Sequence, residues 1–371
     1  MSTPSSSPPP SSLADRAAGA IMGALIGDAL GLGPHWYYDL EEMRRDHGPW
    51  IDGYTDPKPG RYHAGLKGGM PSQAGIITTL LLRSVVDRGS YAEADFCRRL
   101  DEDLFPKLDG TPVNGPGGYT SQSIRETWQR RVKNGAPWGE TGGNADTTEA
   151  AERTLVLGAR YALSPRELAT AVSKNCALTQ NDSMVVAMTT AYCATLGLLV
   201  RGEPFDIEIS DKLMDLVRNG ELPFHTVTSG KLQPPKAGPV AMSRAGGFSS
   251  PDALLAPSLI AEAVEDRSLI IEPAWKVSIV YGMPCAMYFQ LPAAYYLAAK
   301  FPQDFESAVL HAINGGGQNQ ARAILTGALV GAQVGLSGIP QRFVDGLENA
   351  EELVALAKRL GADAAASGQG K

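Results

Sequence analysis

Three long stretches of this chain carry no charged residue at all: residues 183–200, 278–299 and 323–340. Each is long enough to be tested as a membrane span. The first contains Ser183, three threonines and Tyr192, the second is broken by Pro284 and Pro292, and the third is interrupted by glycines. Polar residues and breakers of this kind belong to core helices rather than spans. A helix that is apolar on every side must be surrounded by protein, which implies a central position in a large all-helical fold.

The remaining periodic segments are also helical. Helices are expected over 15–31, 73–88, 91–103, 120–134, 147–162, 165–176, 183–201, 206–218, 258–266, 287–300, 305–313, 322–334 and 340–360. Small and apolar residues fill the first of these, as a closely packed helix requires. Ser164-Pro165 sets proline at a first helical position, and Asp304 precedes an apolar-periodic run as an N-cap. No convincing alternating strand and no repeat of 20 to 50 residues stands out. The expected fold is all-α, a single large orthogonal helical globule. Long loops near 47–71, 104–119, 135–146 and 219–257 are where function would sit.

The chain is 371 residues long, with 20% charged and 43% hydrophobic residues, which suits one large globular domain. Residues 1–12, "MSTPSSSPPPSS", cannot bury a core and are expected to be disordered. Residues 13–360 form the domain, and 361–371 are expected to be a loose tail. A net charge of −7 gives no basic footprint for nucleic acid. The start lacks the basic residues and apolar run of a secretory signal. Cys97, Cys176, Cys193 and Cys285 lie far apart with no CxxC pair, and read as buried thiols in a reducing, cytoplasmic compartment.

"GAIMGALIGDALGLGPHW" (19–36) resembles the first motif of the ADP-ribosylglycohydrolase family, and "GGGQNQARAILTGALVGAQVGLSGIP" (315–340) its last. "NGPGGYTSQSI", "GGN" at 142–144 and "CALTQNDSMVVAM" resemble weaker landmarks in the right order. The resemblance implies an all-helical hydrolase that holds two divalent ions between the first and last thirds of the chain. Members use a Thr-Asp-Asp triplet at one helix start, an Asp-Thr-Asp-Thr run at another, and a glutamate at the end of the first motif. Several carboxylates are needed there to offset four positive charges on hard cations.

In this chain those positions are occupied by other residues. The triplet aligns with Pro71, Ser72 and Gln73, the run with Gln318, Asn319, Gln320 and Ala321, and the glutamate with His35. Neutral dipoles cannot balance two dications, so no metal and no cofactor is expected. "HWYYD" and "MPSQAG" resemble the J1-crystallin-like branch, which includes jellyfish lens crystallins and selenoprotein J. Ser72, Gln73, Gln318, Asn319 and Gln320 would then line the former metal cavity with hydrogen-bonding groups. They would hold a small-molecule ligand, or bond one another as packed core.

The other candidates each carry two readings. Asp28 is a ligand-binding acid or a carboxylate that holds loop N–H groups. His35, beside Trp36, is a general base or ligand contact, or a structural histidine under an aromatic cluster. Asp146 and Glu149 are an acid/base pair on one helix face, or a capping box with Asp146 as N-cap. Tyr119 stacks on a ligand or anchors its loop. Asn181-Asp182 reads as a cap, and His47, His63, His225 and His311 read as ordinary.

The expected function is that of a metal-independent hydrolase acting on a glycosidic bond or a related small metabolite. A non-catalytic binder of ADP-ribose or another nucleotide, and a structural crystallin-like protein, are the alternatives. The expected partner is a small molecule, with neither nucleic acid nor a membrane. The oligomeric state is left open.

Overall fold

A computed structural model describes residues 11–225 and 252–368. The expected helix over 206–218 falls wholly within these segments. The disordered-tail expectation falls mostly outside them, as does most of the 219–257 loop. Among the described residues the chain forms sixteen α-helices and no extended strand, and two isolated bridges join Gly143 to Gln180 and Thr147 to Ala286. In chain order these are α1 (Leu13–Leu32), α2 (Leu40–His47), α3 (Gln73–Arg88), α4 (Glu93–Arg99), α5 (Gln122–Trp128), α6 (Glu149–Arg160), α7 (Pro165–Ala177) and α8 (Ser183–Arg201). They continue with α9 (Ile209–Arg218), α10 (Asp252–Glu265), α11 (Val277–Tyr281), α12 (Met287–Lys300), α13 (Phe305–Ile313), α14 (Asn319–Val334), α15 (Gln341–Asp345) and α16 (Ala350–Ala366).

The axis of the molecule is the pair α1 and α14. Every residue of α1 from Ala17 to Leu32 is buried, and so is α14 from Asn319 to Ala332. The two backbones touch: a Cβ built on Gly23 would lie 2.0 Å from the Gly327 carbonyl oxygen, and one on Gly327 would lie 2.1 Å from the Gly23 carbonyl oxygen. Only a residue without a side chain permits that approach. Helix α8, uncharged up to its final Arg201, is the one described helix long and apolar enough to cross a membrane, and 78% of its most apolar window is buried inside the protein. It lies against α6, α7, α1 and α14, as all-round apolarity demands.

Caps set the helix starts. Asp182 accepts the N–H groups of Met184 and Val185 at the head of α8, and Asp304 accepts that of Ser307 at the head of α13. Pro165 occupies the first turn of α7, although Ser164 makes no side-chain cap there.

Three differences from the sequence reading have local causes. Helix α2 was not expected, yet Asp39 caps it through Glu41 and Glu42 N–H groups, and its acidic start and basic end suit the helix dipole. The segment expected as one helix over 340–360 is two, because Asn349 takes a left-handed φ of 59° between α15 and α16. The Glu348 N–H there donates to the Gly69 carbonyl at 2.9 Å. Helix α16 then runs to Ala366, six residues into the stretch expected to be a loose tail. Gly361 packs close to the Ala14 carbonyl and Ala364 is buried.

Candidate functional site

The close approach of α1 and α14 brings the ends of both motifs to one place. The Trp36 N–H donates to the Gly317 carbonyl at 3.1 Å, and the Gly317 N–H donates to the Tyr37 carbonyl at 2.7 Å. Trp36 takes a φ of 62°, one of two such values at non-glycine positions among the described residues. Sterics disfavour that region for an aromatic residue, so the tertiary contacts hold it there. Ser72 and Gln73, at the head of α3, line the same cavity as Gln318 and Gln320, at the head of α14. The pairing therefore forms across some 245 residues of sequence.

Each side chain there has a defined partner set. Asp28, at the end of α1, accepts from the Ser72 N–H at 2.9 Å and the Ser72 hydroxyl at 2.5 Å. It thus holds the α3 loop, one of its two expected roles. Burial raises its carboxyl to about 6, and the Ser72 hydrogen bonds act against that rise. Ser72 in turn caps α3 by accepting from the Ala74 N–H. Gln73 donates from Nε2 to Thr120 Oγ1 at 3.0 Å and to the Pro116 carbonyl at 3.3 Å. The carbonyl can only accept, so the amide orientation follows. Gln73 Oε1 is then a buried acceptor without a partner. Gln320 donates to the Asp28 carbonyl at 3.1 Å.

The loop that leads into α5 completes one wall. A Cβ on Gly117, whose φ is 79°, would lie 2.1 Å from the Gln73 backbone nitrogen. That glycine lets "NGPGGYTSQS" close down on the head of α3. Tyr119 lines the cavity and packs edge-on against Trp36, with ring centroids 4.3 Å apart. Its hydroxyl accepts from Arg125.

His35 is buried, stacked on Trp36 with centroids 4.4 Å apart. Its Nε2 lies 3.0 Å from Gln318 Oε1, which also accepts from Trp36 Nε1–H. Its Nδ1 lies 2.6 Å from His63 Nε2, and His63 Nδ1 lies 2.9 Å from the Gly117 carbonyl. His63, which reads as ordinary in the sequence, is therefore buried and held between His35 and the Gly117 carbonyl. Burial drives both rings toward the neutral form, His35 well below the usual range and His63 to about 4.

The expected pairing of Asp146 with Glu149 does not form. Residues 143–147 run extended, bridged to Gln180 and Ala286, so α6 starts only at Glu149, with Thr148 as N-cap. Asp146 is exposed and accepts from the Tyr288 hydroxyl. The capping box is absent too. Glu149 instead accepts from the hydroxyls of Thr147 and Ser123. Its neighbour one turn along is Glu152, which accepts from Thr148 Oγ1 at 2.6 Å.

Both glutamates line the cavity. Burial raises both carboxyls, and the nearby Glu149 lifts Glu152 further, to about 8. Arg153, beside them, is buried and bonds Asn175 and Thr179 rather than either carboxylate. The sequence signal for Glu152 is its spacing, an acid three residues after Glu149 and so on the same face of α6.

Three expected ligand contacts lie outside this cavity, and Asp28, tied to Ser72, is one of them. Asn319 is buried but outside the cavity, with its amide nitrogen 3.5 Å from the Gly31 carbonyl and Oδ1 unpartnered. Trp36 backs His35 and does not line the cavity. The cavity itself is small, about 40 Å³, room for a few water molecules. A larger one of about 170 Å³ opens on the other side of Asp28, against Arg83, Asn349 and Glu352, away from the glutamate pair. Among the described residues no group of three or more His, Cys, Asp or Glu side chains is placed to share a metal ion.

Fold and site together define an all-helical protein in which the heads of α3, α6 and α14, with the loops that carry His35, His63 and Tyr119, line a small polar cavity. The profile of the ADP-ribosylglycohydrolase family matches residues 9–370, and the chain belongs to that family. An uncharacterized protein of Archaeoglobus fulgidus is 22% identical over 340 residues, 92% of this chain and 94% of its own. A solved structure described as an ADP-ribosylglycohydrolase-related protein complex superposes with a TM-score of 0.60 at 20% identity. It covers 95% of this chain and 99% of that one. At that identity the likeness is one of fold.

Proposed function

We propose that this protein is a glycosidic-bond hydrolase that works without a metal ion, through the carboxyl pair Glu149 and Glu152. The observation that carries the reading is that pair. Two glutamates one helical turn apart face one cavity, and Glu152 is raised to about 8 by burial and by Glu149. Two acids with different proton affinity in one site can divide the work of acid and base. Glu152, protonated at neutral pH, gives its proton to the leaving atom as the glycosidic bond breaks. Glu149 takes a proton from the water that attacks the anomeric carbon.

The polar walls select the ligand. Gln73 Oε1 is a buried acceptor in need of a donor. Gln318 Oε1 is occupied by His35 and Trp36, which leaves its Nε2–H groups to the cavity. A hydroxyl-rich group such as a ribose supplies both complements. The donor chemistry supports the metal-free part. Gln318 Oε1 is already taken and the Asp28 carboxylate is tied to Ser72, so the acids that remain are the glutamate pair. "HWYYD" and "MPSQAG" support a place in the J1-crystallin-like branch, and the free thiols of four cysteines support a reducing compartment.

A specific observation favours a second reading. A cavity of about 40 Å³ does not admit a pentose unless the Tyr119 loop moves, as suits a non-catalytic or structural, crystallin-like protein. Turnover of a nitrophenyl riboside in EDTA tests the first reading. Loss of activity by about 10²–10⁴-fold in Glu149→Gln and Glu152→Gln is expected. Activity that requires added Mg²⁺ overturns the metal-free part. Absent turnover with retained ADP-ribose binding favours a binder, and absence of both favours the structural reading.

A further inference from the structure

The two histidines form a chain of three contacts with an acceptor at each end. The Gly117 carbonyl oxygen faces His63 Nδ1 at 2.9 Å, His63 Nε2 faces His35 Nδ1 at 2.6 Å, and His35 Nε2 faces Gln318 Oε1 at 3.0 Å. The carbonyl can only accept. Gln318 Oε1 is fixed as an oxygen because it also takes the Trp36 indole N–H, and indole is a donor only. Three contacts between acceptor ends need three protons. Two neutral imidazoles carry two, one per ring.

If both rings were neutral, one contact would set lone pair against lone pair. With both outer contacts satisfied, the clash falls at the 2.6 Å N···N contact. With the inner contact satisfied, it falls on the Gly117 carbonyl or on Gln318. At 2.6 Å the two ring nitrogens are too close for facing lone pairs, so this contact needs a proton of its own.

We propose that His35 and His63 share one additional proton and act as a single imidazole–imidazolium unit that bears one positive charge in the cavity wall. Burial opposes this charge, and the loss of a hydrogen bond in a dry site opposes its removal. The titratable groups that face the pair across the cavity are Glu149, Glu152, Arg153 and Tyr119, and Asp28 lies behind Ser72.

All four ring nitrogens are engaged, so His35 is not a free general base. It and His63 are positioning residues. The chain fixes Gln318 at the head of α14 and Gly117 in the Tyr119 loop, and its charge favours an ionised Glu149. The proton count stands on geometry; its part in turnover rests on the function proposed above.

Nitrogen-15 NMR of the full chain labelled at histidine tests the count. At pH 7, three of the four ring nitrogens of His35 and His63 are expected to carry a proton, with His63→Ala and His35→Ala used for assignment. The His63→Ala protein should bind about one proton fewer than wild type in a potentiometric titration near neutral pH, beyond the loss of an ordinary histidine. Two protonated nitrogens over the pair at pH 7 would overturn the proposal. So would separate titration of the two rings. Neither readout needs a ligand. A correct count with no riboside turnover would remove the function and keep the pair, and two protons with intact turnover would do the reverse.

Discussion

Glu152 offers the most quantitative test of the site, because its buried carboxyl ties stability to pH. In the folded protein it keeps its proton up to about pH 8, against a usual value of 4.5. Below pH 4.5 both folded and unfolded chains carry the proton, and the group is neutral in each. Between 4.5 and 8 the unfolded chain ionises while the folded one does not. Unfolding then releases a proton, and stability falls as pH rises, by at most about 1.4 kcal/mol per pH unit. Above pH 8 the deficit approaches roughly 4–5 kcal/mol, an upper bound because Glu149 titrates with it.

Glu152→Gln removes the ionisable group and keeps an oxygen for the Thr148 hydroxyl. The variant should match wild type at pH 4.5 and exceed it at pH 8.5 by a few kcal/mol. For a chain this long that is about 1.3 °C in Tm per kcal/mol, so a gap of roughly 3–6 °C. Thermal melts of both proteins across that range measure it. A variant less stable at every pH, or a gap that does not grow with pH, would refute the burial argument and remove the acid from the mechanism.

Other outcomes follow from the same structure. Gly327→Ala pushes a methyl into the Gly23 carbonyl and should cost about 1–3 kcal/mol or more in chemical denaturation, because neither backbone can yield alone. Ser72→Ala removes a 2.5 Å hydrogen bond to a buried carboxylate, with a loss of roughly 1.5–3 kcal/mol. That loss should shrink below pH 6, where Asp28 takes up its own proton. EDTA should leave Tm unchanged, since only a ligand bound to the folded state raises it. Elemental analysis that finds two divalent ions per chain would contradict that expectation.

The helical architecture was legible because burial imposes it. Residues 183–201, 287–300 and 305–313 match their helices end to end, since apolar runs with caps admit little else. Where local and tertiary signals part, the sequence was less informative. Asp146 and Glu149 satisfy a capping pattern, but bridges to Gln180 and Ala286 hold 143–147 extended and move the helix start to Glu149. That shift replaced Asp146 with Glu152 as the partner acid. His63 lay in a loop without periodicity, and only the fold of 61–64 against Gly117 places it on His35. Ser72, Gln73, Gln318 and Gln320 came from the family resemblance. No local pattern links two helix starts that far apart, and the glycine faces of α1 and α14 are what bring them together.

The central claim is that this amide-lined cavity takes a ribose-bearing ligand without metal. Calorimetric titration of ADP-ribose in EDTA, on wild type, Gln73→Ala and Gln318→Ala, tests it most directly. Binding by wild type in EDTA, with at least a tenfold loss of affinity in both variants, is the predicted result. Binding that needs Mg²⁺, no binding by wild type under either condition, or equal affinity in all three proteins would contradict it.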